Sequence, residues 1–164
     1  DGKIVAGAHG AGGEIGHANI CHEETAACNC GNSGCLEQYA SATGIARLAR
    51  IRLAKNNDMT LLRGQEITAK AVFDALKEGD KVAEEIVEEF GAYLGYALAD
   101  VAAVIDPSMF IIGGGVSKAG PIIIQYVKKY FLEKAFFANE GTEFIIAVLG
   151  NDAGMCGAAK LILG

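Results

Sequence analysis

The stretch Cys28-Asn29-Cys30-Gly31-Asn32-Ser33-Gly34-Cys35-Leu36-Glu37 decides how this chain is to be interpreted. Three of the chain's five cysteines fall within it, beside two glycines that let a loop fold back tightly. Thiolates packed so closely repel each other unless a soft cation neutralises them, and zinc takes such ligands at about 2.3 Å in a tetrahedron. The spacing therefore predicts a zinc-binding loop with Cys28, Cys30 and Cys35 as ligands.

A tetrahedral zinc site needs a fourth ligand. We predict His17, which lies upstream of the cysteines. His22 and His9 are the alternative fourth ligands. If His17 binds zinc through one ring nitrogen, the other nitrogen becomes an N–H donor with a defined direction.

Two glutamates flank the predicted zinc loop. Glu14 and Glu37 each stand two or three positions from a predicted ligand, so a metal that fixes His17 and Cys35 also fixes both carboxylates. Two carboxylate acceptors and one imidazole donor suit a polyhydroxylated ligand such as a sugar. The alternative interpretation is two solvated glutamates on a loop held by metal.

The composition is that of a globular domain without a broad basic surface. The 164 residues suit one domain, with 51% hydrophobic and 21% charged residues. The longest apolar run, residues 97–105, contains Asp100 and is too short to span a bilayer. A net charge of −6 without a Lys/Arg block argues against nucleic-acid binding. Clustered cysteines without a recognisable secretory signal predict a cytoplasmic protein that does not associate with membranes.

The pattern along the chain predicts an α/β fold. Asp1-Gly2 is typical of a hairpin turn, and Lys3 to Ala8 is predicted to be a strand, so we expect the chain to begin inside a sheet. Further strands are predicted at 109–112, which we expect to be buried, and at 144–149. Helices are predicted over 35–56 with a break at 41–44, over 68–76, over 80–105, from 118 or 121 to 133, and from 153 to 163.

Two glycine patterns have open interpretations. Gly91, Gly95, Ala99 and Ala103 form a stripe of small residues along the longest helix, which allows either tight internal packing against the sheet or a helix contact across a dimer. The turn at 113–115 is Gly-Gly-Gly between a strand and a helix, where backbone amides can approach a phosphate or nucleotide. A tight strand-to-helix turn without a ligand is the alternative.

Together these motifs resemble the ROK (repressor, open reading frame, kinase) family of bacterial sugar kinases. The resemblance covers essentially the whole chain, its zinc motif is highly specific, and the residues around Glu37 are most similar to the family's glucokinases. The matching segments are His9–His17, Cys28–Glu37, Ala40–Gly44, Gly113–Val116 and Leu149–Gly154.

The resemblance implies an actin-like, ribonuclease-H-like fold of two lobes with ATP and sugar between them. It implies sugar contacts by Glu14, His17 and Glu37, and zinc ligation by His17, Cys28, Cys30 and Cys35. It also implies that the turn Gly113-Gly114-Gly115 lies near the adenosine of ATP.

The chain departs from the family pattern in one respect. The family's Asp-x-Gly-x-Thr phosphate loop and its Asn-Asp catalytic base do not occur here in a matching context. We therefore expect residues 1–152 to form the larger C-terminal lobe, with the zinc loop at 17–35 and no catalytic base. Residues 153–164 are expected to form a closing helix that returns to an N-terminal lobe.

The resemblance implies that the whole protein is an ATP-dependent hexose kinase that phosphorylates glucose or a related hexose. Magnesium would bridge the phosphates, and zinc would be structural. The alternative is the sugar-sensing domain of a ROK-family transcriptional repressor, and a third possibility is a zinc-stabilised oligomerisation module. We also expect a homo-oligomer, with the closing helix or the first strand forming part of the contact.

Overall fold

The fold is organised around one long helix, with four shorter helices packed against it and a small two-stranded sheet packed against one of these four. The computed structural model describes residues 4–163, without the side chains of residues 151 and 163. The predicted turn Asp1-Gly2 lies outside the described residues. In chain order the elements are α1 (Glu37–Ala40), α2 (Ala42–Lys55), α3 (Ala69–Lys77), α4 (Lys81–Ile105), β1 (Met109–Ile112), α5 (Ile122–Lys134), β2 (Glu143–Ile146) and α6 (Ala153–Leu163).

The long helix α4 has clear start and stop signals. Asp80 caps its first turn, because one carboxylate oxygen accepts from the N–H groups of Val82 at 2.9 Å and Ala83 at 3.0 Å. The helix ends where Asp106 adopts a left-handed φ of 46° ahead of Pro107, which cannot continue a helix. The predicted span of this helix is confirmed. No helix in residues 4–163 combines the length and the apolarity that a bilayer crossing requires.

The small residues of α4 allow α5 to approach closely. A Cβ atom on Gly95 would lie 2.6 Å from the carbonyl oxygen of Val127, and one on Gly91 would lie 3.0 Å from Cβ of Tyr126. Both distances are shorter than normal contacts, so a larger residue at either position would force α5 to shift. The prediction of internal packing is confirmed for Gly91 and Gly95, although they pack against helix α5 rather than the sheet.

The strands β1 and β2 are parallel neighbours on either side of α5 in sequence. Their register pairs Met109 with Glu143 and Ile112 with Ile146. The prediction that β1 is buried is wrong, because its residues alternate between exposed and half-buried. The predicted extension of β2 to residue 149 is also wrong. The N–H of Ala147 still bonds to the carbonyl of Ile112 at 2.9 Å, but β1 ends there and offers no further partner.

The predicted strand over Lys3–Ala8 is wrong in its described part, residues 4–8. This segment forms no strand, and the side chains of Ile4 and Val5 are exposed. The backbone instead doubles back, since the N–H of Gly12 donates to the carbonyl of Ala6 at 2.9 Å. An apolar run becomes a strand only when a neighbouring strand pairs with its backbone N–H and C=O groups. No strand in residues 4–163 pairs with this segment.

The last helix, α6, stands apart from the core. Its residues 153–162 are exposed, including the apolar side chains of Met155, Leu161 and Ile162. The predicted helix is confirmed as an element. Its expected return to an N-terminal lobe remains a prediction.

Candidate metal centre and neighbouring cavities

Four side chains with metal-binding atoms meet at one place. In residues 4–163 there is one group of at least three His, Cys, Asp or Glu side chains close enough to share an ion, formed by His17, Cys28, Cys30 and Cys35, whose ligand atoms all lie within 4.8 Å of one another. His9 and His22 do not belong to this group.

The distances within the cluster match those of a tetrahedral thiolate–imidazole site. The sulfurs of Cys30 and Cys35 are 3.6 Å apart, and Nδ1 of His17 is 3.9 Å from Sγ of Cys28. Zinc–sulfur and zinc–nitrogen distances of about 2.3 and 2.05 Å place two sulfurs about 3.8 Å apart and a sulfur and nitrogen about 3.6 Å apart. The four residues therefore fit a metal of this size, while the identity of the metal stays a proposal.

Local backbone structure holds the predicted zinc loop, residues 17–35, in this shape, and we call this segment the cysteine loop. Cys28 and Asn32 close a tight turn, since the N–H of Cys28 donates to the carbonyl of Asn32 at 2.6 Å. Gly34 has a φ of +72°, and a Cβ there would collide with the carbonyl oxygen of Cys21. The N–H of Leu36 donates to the carbonyl of Ala18 at 2.9 Å. The two ends of the loop are thereby joined, which brings Cys35 beside the residues that follow His17.

Glu37 lies at the edge of this group of four candidate ligands, which we call the metal cluster, and at the first position of α1. Its Oε1 is 2.9 Å from Sγ of Cys28 and 3.9 Å from Nδ1 of His17. Glu14 precedes the short 3-10 turn that carries His17, and its carbonyl accepts from the N–H of His17 at 3.1 Å. A Cβ on Gly16, in the same turn, would lie 3.8 Å from Cβ of Glu37. The structure thus places the turn after Glu14 against the start of α1.

The three thiols of the cluster differ in the direction in which their pKa values are shifted. The N–H of Cys30 acts to lower the pKa of Cys28, but the Glu37 carboxylate and burial outweigh it and raise that pKa to about 12. The N–H of Asn32 lowers the pKa of Cys30, and burial raises the pKa of Cys35. If Cys28 were to bind a metal as a thiolate, it would lose its proton, and Glu37 would lose the donor that it has here. The Glu37 carboxylate would then be open to another donor.

A half-buried ion pair between Glu24 and Arg47 attaches the cysteine loop to the helices. Glu24 accepts from the hydroxyl of Tyr39 at 2.6 Å, from the N–H of Ala26 at 2.8 Å and from the guanidinium of Arg47. The Tyr39 hydrogen bond is the largest of the effects that lower the pKa of Glu24 to about 2. This network leaves no local pattern in the sequence, because Tyr39 and Arg47 lie 15 and 23 residues from Glu24.

Two polar side chains fix the start of α1, where Glu37 lies. The amide of Gln38 accepts from the N–H of Cys35 at 3.1 Å and donates to the carbonyl of Ala26 at 2.9 Å. Ser41 donates to the carbonyl of Glu37 at 2.7 Å and accepts from the N–H of Gly44 at 3.0 Å. Ser41 therefore ends α1 and caps α2, which confirms the predicted break in this helical stretch.

A cavity of about 260 Å³ lies beside the metal cluster. Glu37 and Cys28 line it, together with Arg47 and Thr43 of α2. Most of its polar groups come from residues that sequence analysis did not single out. The complete lining is Ala26, Ala27, Cys28, Asn29, Glu37, Gln38, Thr43, Gly44 and Arg47.

The triple-glycine turn connects β1 to a short 3-10 turn, Val116–Ala119. Gly114 has a φ of +71°, which explains the need for glycine there. The helix predicted to begin at residue 118 or 121 is confirmed as α5, which begins at Ile122, so the turn reaches it through the 3-10 turn. A second cavity, of about 160 Å³, lies beside Gly115. Its lining is Ala69, Lys70, Phe73, Asp74, Lys77, Gly115, Val116, Lys118 and Ala119.

Comparison with known proteins identifies close relatives in sequence. The profile of the ROK family matches residues 1–164. The chain is 42% identical over 167 residues to a glucokinase of Halalkalibacterium halodurans, covering 99% of this chain and 51% of that protein. It is 34% identical over 153 residues to the DNA-binding transcriptional repressor Mlc of Escherichia coli, covering 89% of this chain and 36% of the repressor. The chain spans about half the length of the glucokinases it matches.

Solved structures show the same fold. A ROK family glucokinase from Streptomyces griseus, in complex with glucose and AMPPNP, superposes with a TM-score of 0.85 at 34% identity, covering 97% of this chain and 54% of that one. A ROK family transcriptional regulator, a homolog of the E. coli Mlc protein, superposes with a TM-score of 0.82 at 30% identity, covering 97% of this chain and 40% of that one. The predicted α/β fold of the ROK sugar kinases is therefore confirmed.

Proposed function

The chain belongs to the ROK family, and from that premise we propose that it supplies the sugar-recognition lobe of an ATP-dependent glucokinase. The whole protein would transfer the γ-phosphoryl group of ATP to a hydroxyl of glucose or a related hexose, with magnesium on the phosphates. One observation carries the proposal: Glu37 lies beside the metal cluster, 3.9 Å from the ring of His17. The relative with 42% identity is a glucokinase, which supports this substrate.

We propose that Glu14, His17 and Glu37 contact the sugar. Nδ1 of His17 faces the cluster, so Nε2 is the nitrogen that would carry a proton towards a sugar oxygen. The two carboxylates would accept from sugar hydroxyls through charge-assisted hydrogen bonds. The cavity at Glu37 gives such a ligand room beside the cluster.

We propose a structural zinc ion bound by His17, Cys28, Cys30 and Cys35. Three thiolates and one imidazole close a tetrahedron and leave no position for a substrate, as is typical of structural zinc. Zinc when bound would supply rigidity to the loop. The loop itself positions His17 and lies against the start of α1. Thiolate ligands need a reducing environment, which supports a cytoplasmic location.

We propose that the nucleotide lies beside the turn Gly113-Gly114-Gly115. The cavity at Gly115 is lined by the apolar Phe73 and by three lysines, Lys70, Lys77 and Lys118, and its one acidic residue, Asp74, is paired with Lys70. An aromatic face and positive charge suit a base and its phosphates. The Streptomyces griseus neighbour was solved with AMPPNP, which supports a nucleotide in this fold.

In this proposal residues 1–152 are the C-terminal lobe, and residues 153–164 are the closing helix that contacts an N-terminal lobe. The exposed apolar side chains of Met155, Leu161 and Ile162 support a contact of this kind. A homo-oligomer stays part of the proposal. Gly91 and Gly95 are already covered by α5, so the small-residue stripe gives it no support there.

A sugar-sensing repressor domain is the second candidate. The similarity to the Mlc repressor and the TM-score of 0.82 with its structural homolog favour it. A helix-turn-helix segment elsewhere in the full-length protein would distinguish the repressor from the kinase. The higher identity to the glucokinase makes the kinase our choice.

Binding of glucose to the metal-loaded chain tests the sugar site. We expect saturation-transfer NMR to detect glucose, and Glu37→Gln to weaken binding by about 10- to 100-fold, which corresponds to about 1.5–3 kcal/mol for a charge-assisted hydrogen bond. Glu23→Gln is the matched control, because it makes the same change at an exposed position of the same loop. Equal binding by the Glu37→Gln and Glu23→Gln variants would contradict the proposal.

A further inference from the structure

The three cysteines of the metal cluster differ in their access to solvent. Cys30 is exposed, whereas Cys28 and Cys35 are buried. An oxidant that diffuses up to the cluster therefore reaches Cys30 first. Its sulfur is 3.6 Å from that of Cys35, whereas the sulfur of Cys28 lies 2.9 Å from Oε1 of Glu37. All three sulfurs lie within 4.8 Å of one another, so the exposure of Cys30 and its 3.6 Å approach to Cys35, together with the contact of Cys28 with Glu37, favour Cys30 and Cys35 as the reacting pair.

We propose that Cys30 and Cys35 form a reversible oxidation site that releases the metal. This inference rests on the proposed zinc site and goes beyond its structural role. The oxidant is a peroxide, which accepts two electrons. The product is a disulfide between Cys30 and Cys35, which removes two of the four metal ligands at once.

The reaction balances in two steps. The Cys30 sulfur attacks one peroxide oxygen, so that an S–O bond forms, the O–O bond breaks, and the leaving hydroxide takes a proton to become water. The Cys35 thiolate then attacks the Cys30 sulfur, forming the S–S bond and displacing a second hydroxide, which is also protonated. Two thiolates, one hydrogen peroxide and two protons give one disulfide and two waters.

The loop geometry allows the sulfurs to approach. A disulfide needs an S–S distance of about 2.05 Å, so the two sulfurs must move together by about 1.5 Å. Gly31 and Gly34 lie between the two cysteines, both with positive φ values that other residues rarely adopt. Once the pair is oxidised, only His17 and Cys28 remain as ligands, which is too few for a closed tetrahedral site.

Titration of the zinc-loaded chain with hydrogen peroxide tests this inference. Released zinc is followed with a chromogenic chelator, and the cysteines are mapped by alkylation, digestion and mass spectrometry. We expect one zinc ion released for each disulfide between Cys30 and Cys35. A dithiol reductant followed by added zinc should restore the metal content. Cys156→Ala is the control, because it removes the exposed cysteine of α6, outside the cluster, and should leave zinc release unchanged.

The possible outcomes separate the two proposals. A disulfide that includes Cys28, or zinc release with no disulfide, overturns the assignment of the reactive pair. Zinc that stays bound while Cys156 is oxidised overturns the oxidation site but leaves the metal site intact. A chain that binds no zinc when purified without chelator overturns both. Every one of these outcomes is measured on the wild-type chain, so the test does not depend on whether a cluster variant folds.

Discussion

Replacing Glu24 by glutamine should loosen the attachment of the cysteine loop to α1 and α2. The side chain of Glu24 is 14% exposed and accepts hydrogen bonds from Tyr39, Ala26 and Arg47. The Tyr39 hydrogen bond is the largest of the effects that lower its pKa from 4.5 to about 2. This difference of about 2.5 pH units corresponds to about 3 kcal/mol of stability. Because glutamine can keep part of the network, we expect Glu24→Gln to lower the free energy of unfolding by about 2 kcal/mol at pH 7.

The effect should depend on pH with a definite sign. A carboxyl whose pKa is lower in the folded state stabilises the fold fully above the unfolded pKa, here about 4.5. Its contribution is lost as the pH falls towards about 2. The stability difference between the wild type and Glu24→Gln should therefore shrink over this interval. Protonation of the metal ligands affects both proteins alike, so the difference isolates Glu24.

Urea unfolding followed by circular dichroism measures this difference at each pH. Glu23→Gln is the control, since Glu23 is exposed and lies next to Glu24 in the sequence. We expect the control to change stability by less than about 0.5 kcal/mol. If Glu24→Gln is no less stable than Glu23→Gln at pH 7, or if the full difference persists near pH 2, the ion pair does not hold the loop.

Three further predictions concern the metal, the central helices and the surface. His17→Ala should lose zinc by elemental analysis while His22→Ala keeps it, because the four-residue cluster contains His17 and not His22. The reverse result would make His22 the ligand. Gly95→Ala in α4 should destabilise the fold by about 1–3 kcal/mol in urea unfolding, since its Cβ would lie 2.6 Å from the Val127 carbonyl. Gly157→Ala in α6 has open space and should be neutral or slightly stabilising, so equal effects at both glycines would contradict the packing argument. Light scattering should find the chain associated at high concentration, and removal of residues 153–164 should weaken association, because Leu161 and Ile162 are exposed; a monomer at high concentration would exclude this.

Sequence predicted the parts of the fold that depend on short-range chemistry. The predicted helix starts at 68 and 80 coincide with the caps Thr68 and Asp80, because a cap bonds to backbone groups two or three residues away. The candidate metal ligands were recognisable for a related reason. Three cysteines in one short loop have few roles other than metal binding, so their spacing carries the chemistry.

The parts that sequence did not predict depend on a distant partner. The run at residues 4–8 is apolar enough for a strand, but strand formation needs a paired neighbour that the local sequence does not specify. The contact of Glu24 with Arg47 spans 23 residues and leaves no periodic signal. Gly91 and Gly95 were recognisable as a close-approach surface, yet only the fold shows that α5 is the helix that approaches.

The closure of the cysteine loop onto itself has a consequence for how the protein opens. The backbone carbonyls of Ala18, Gly34 and Asn32 accept hydrogen bonds from the N–H groups of Leu36, Ile20 and Cys28, so they join residues of the loop to one another rather than to α4 or α5. Such a segment can unfold locally, as a cooperative unit with its own stability, while the rest of the fold stays closed. Amide hydrogens of Ile20, Cys28 and Leu36 should then exchange together, at a rate set by metal occupancy. The amides in the middle of α4 should exchange only through global unfolding.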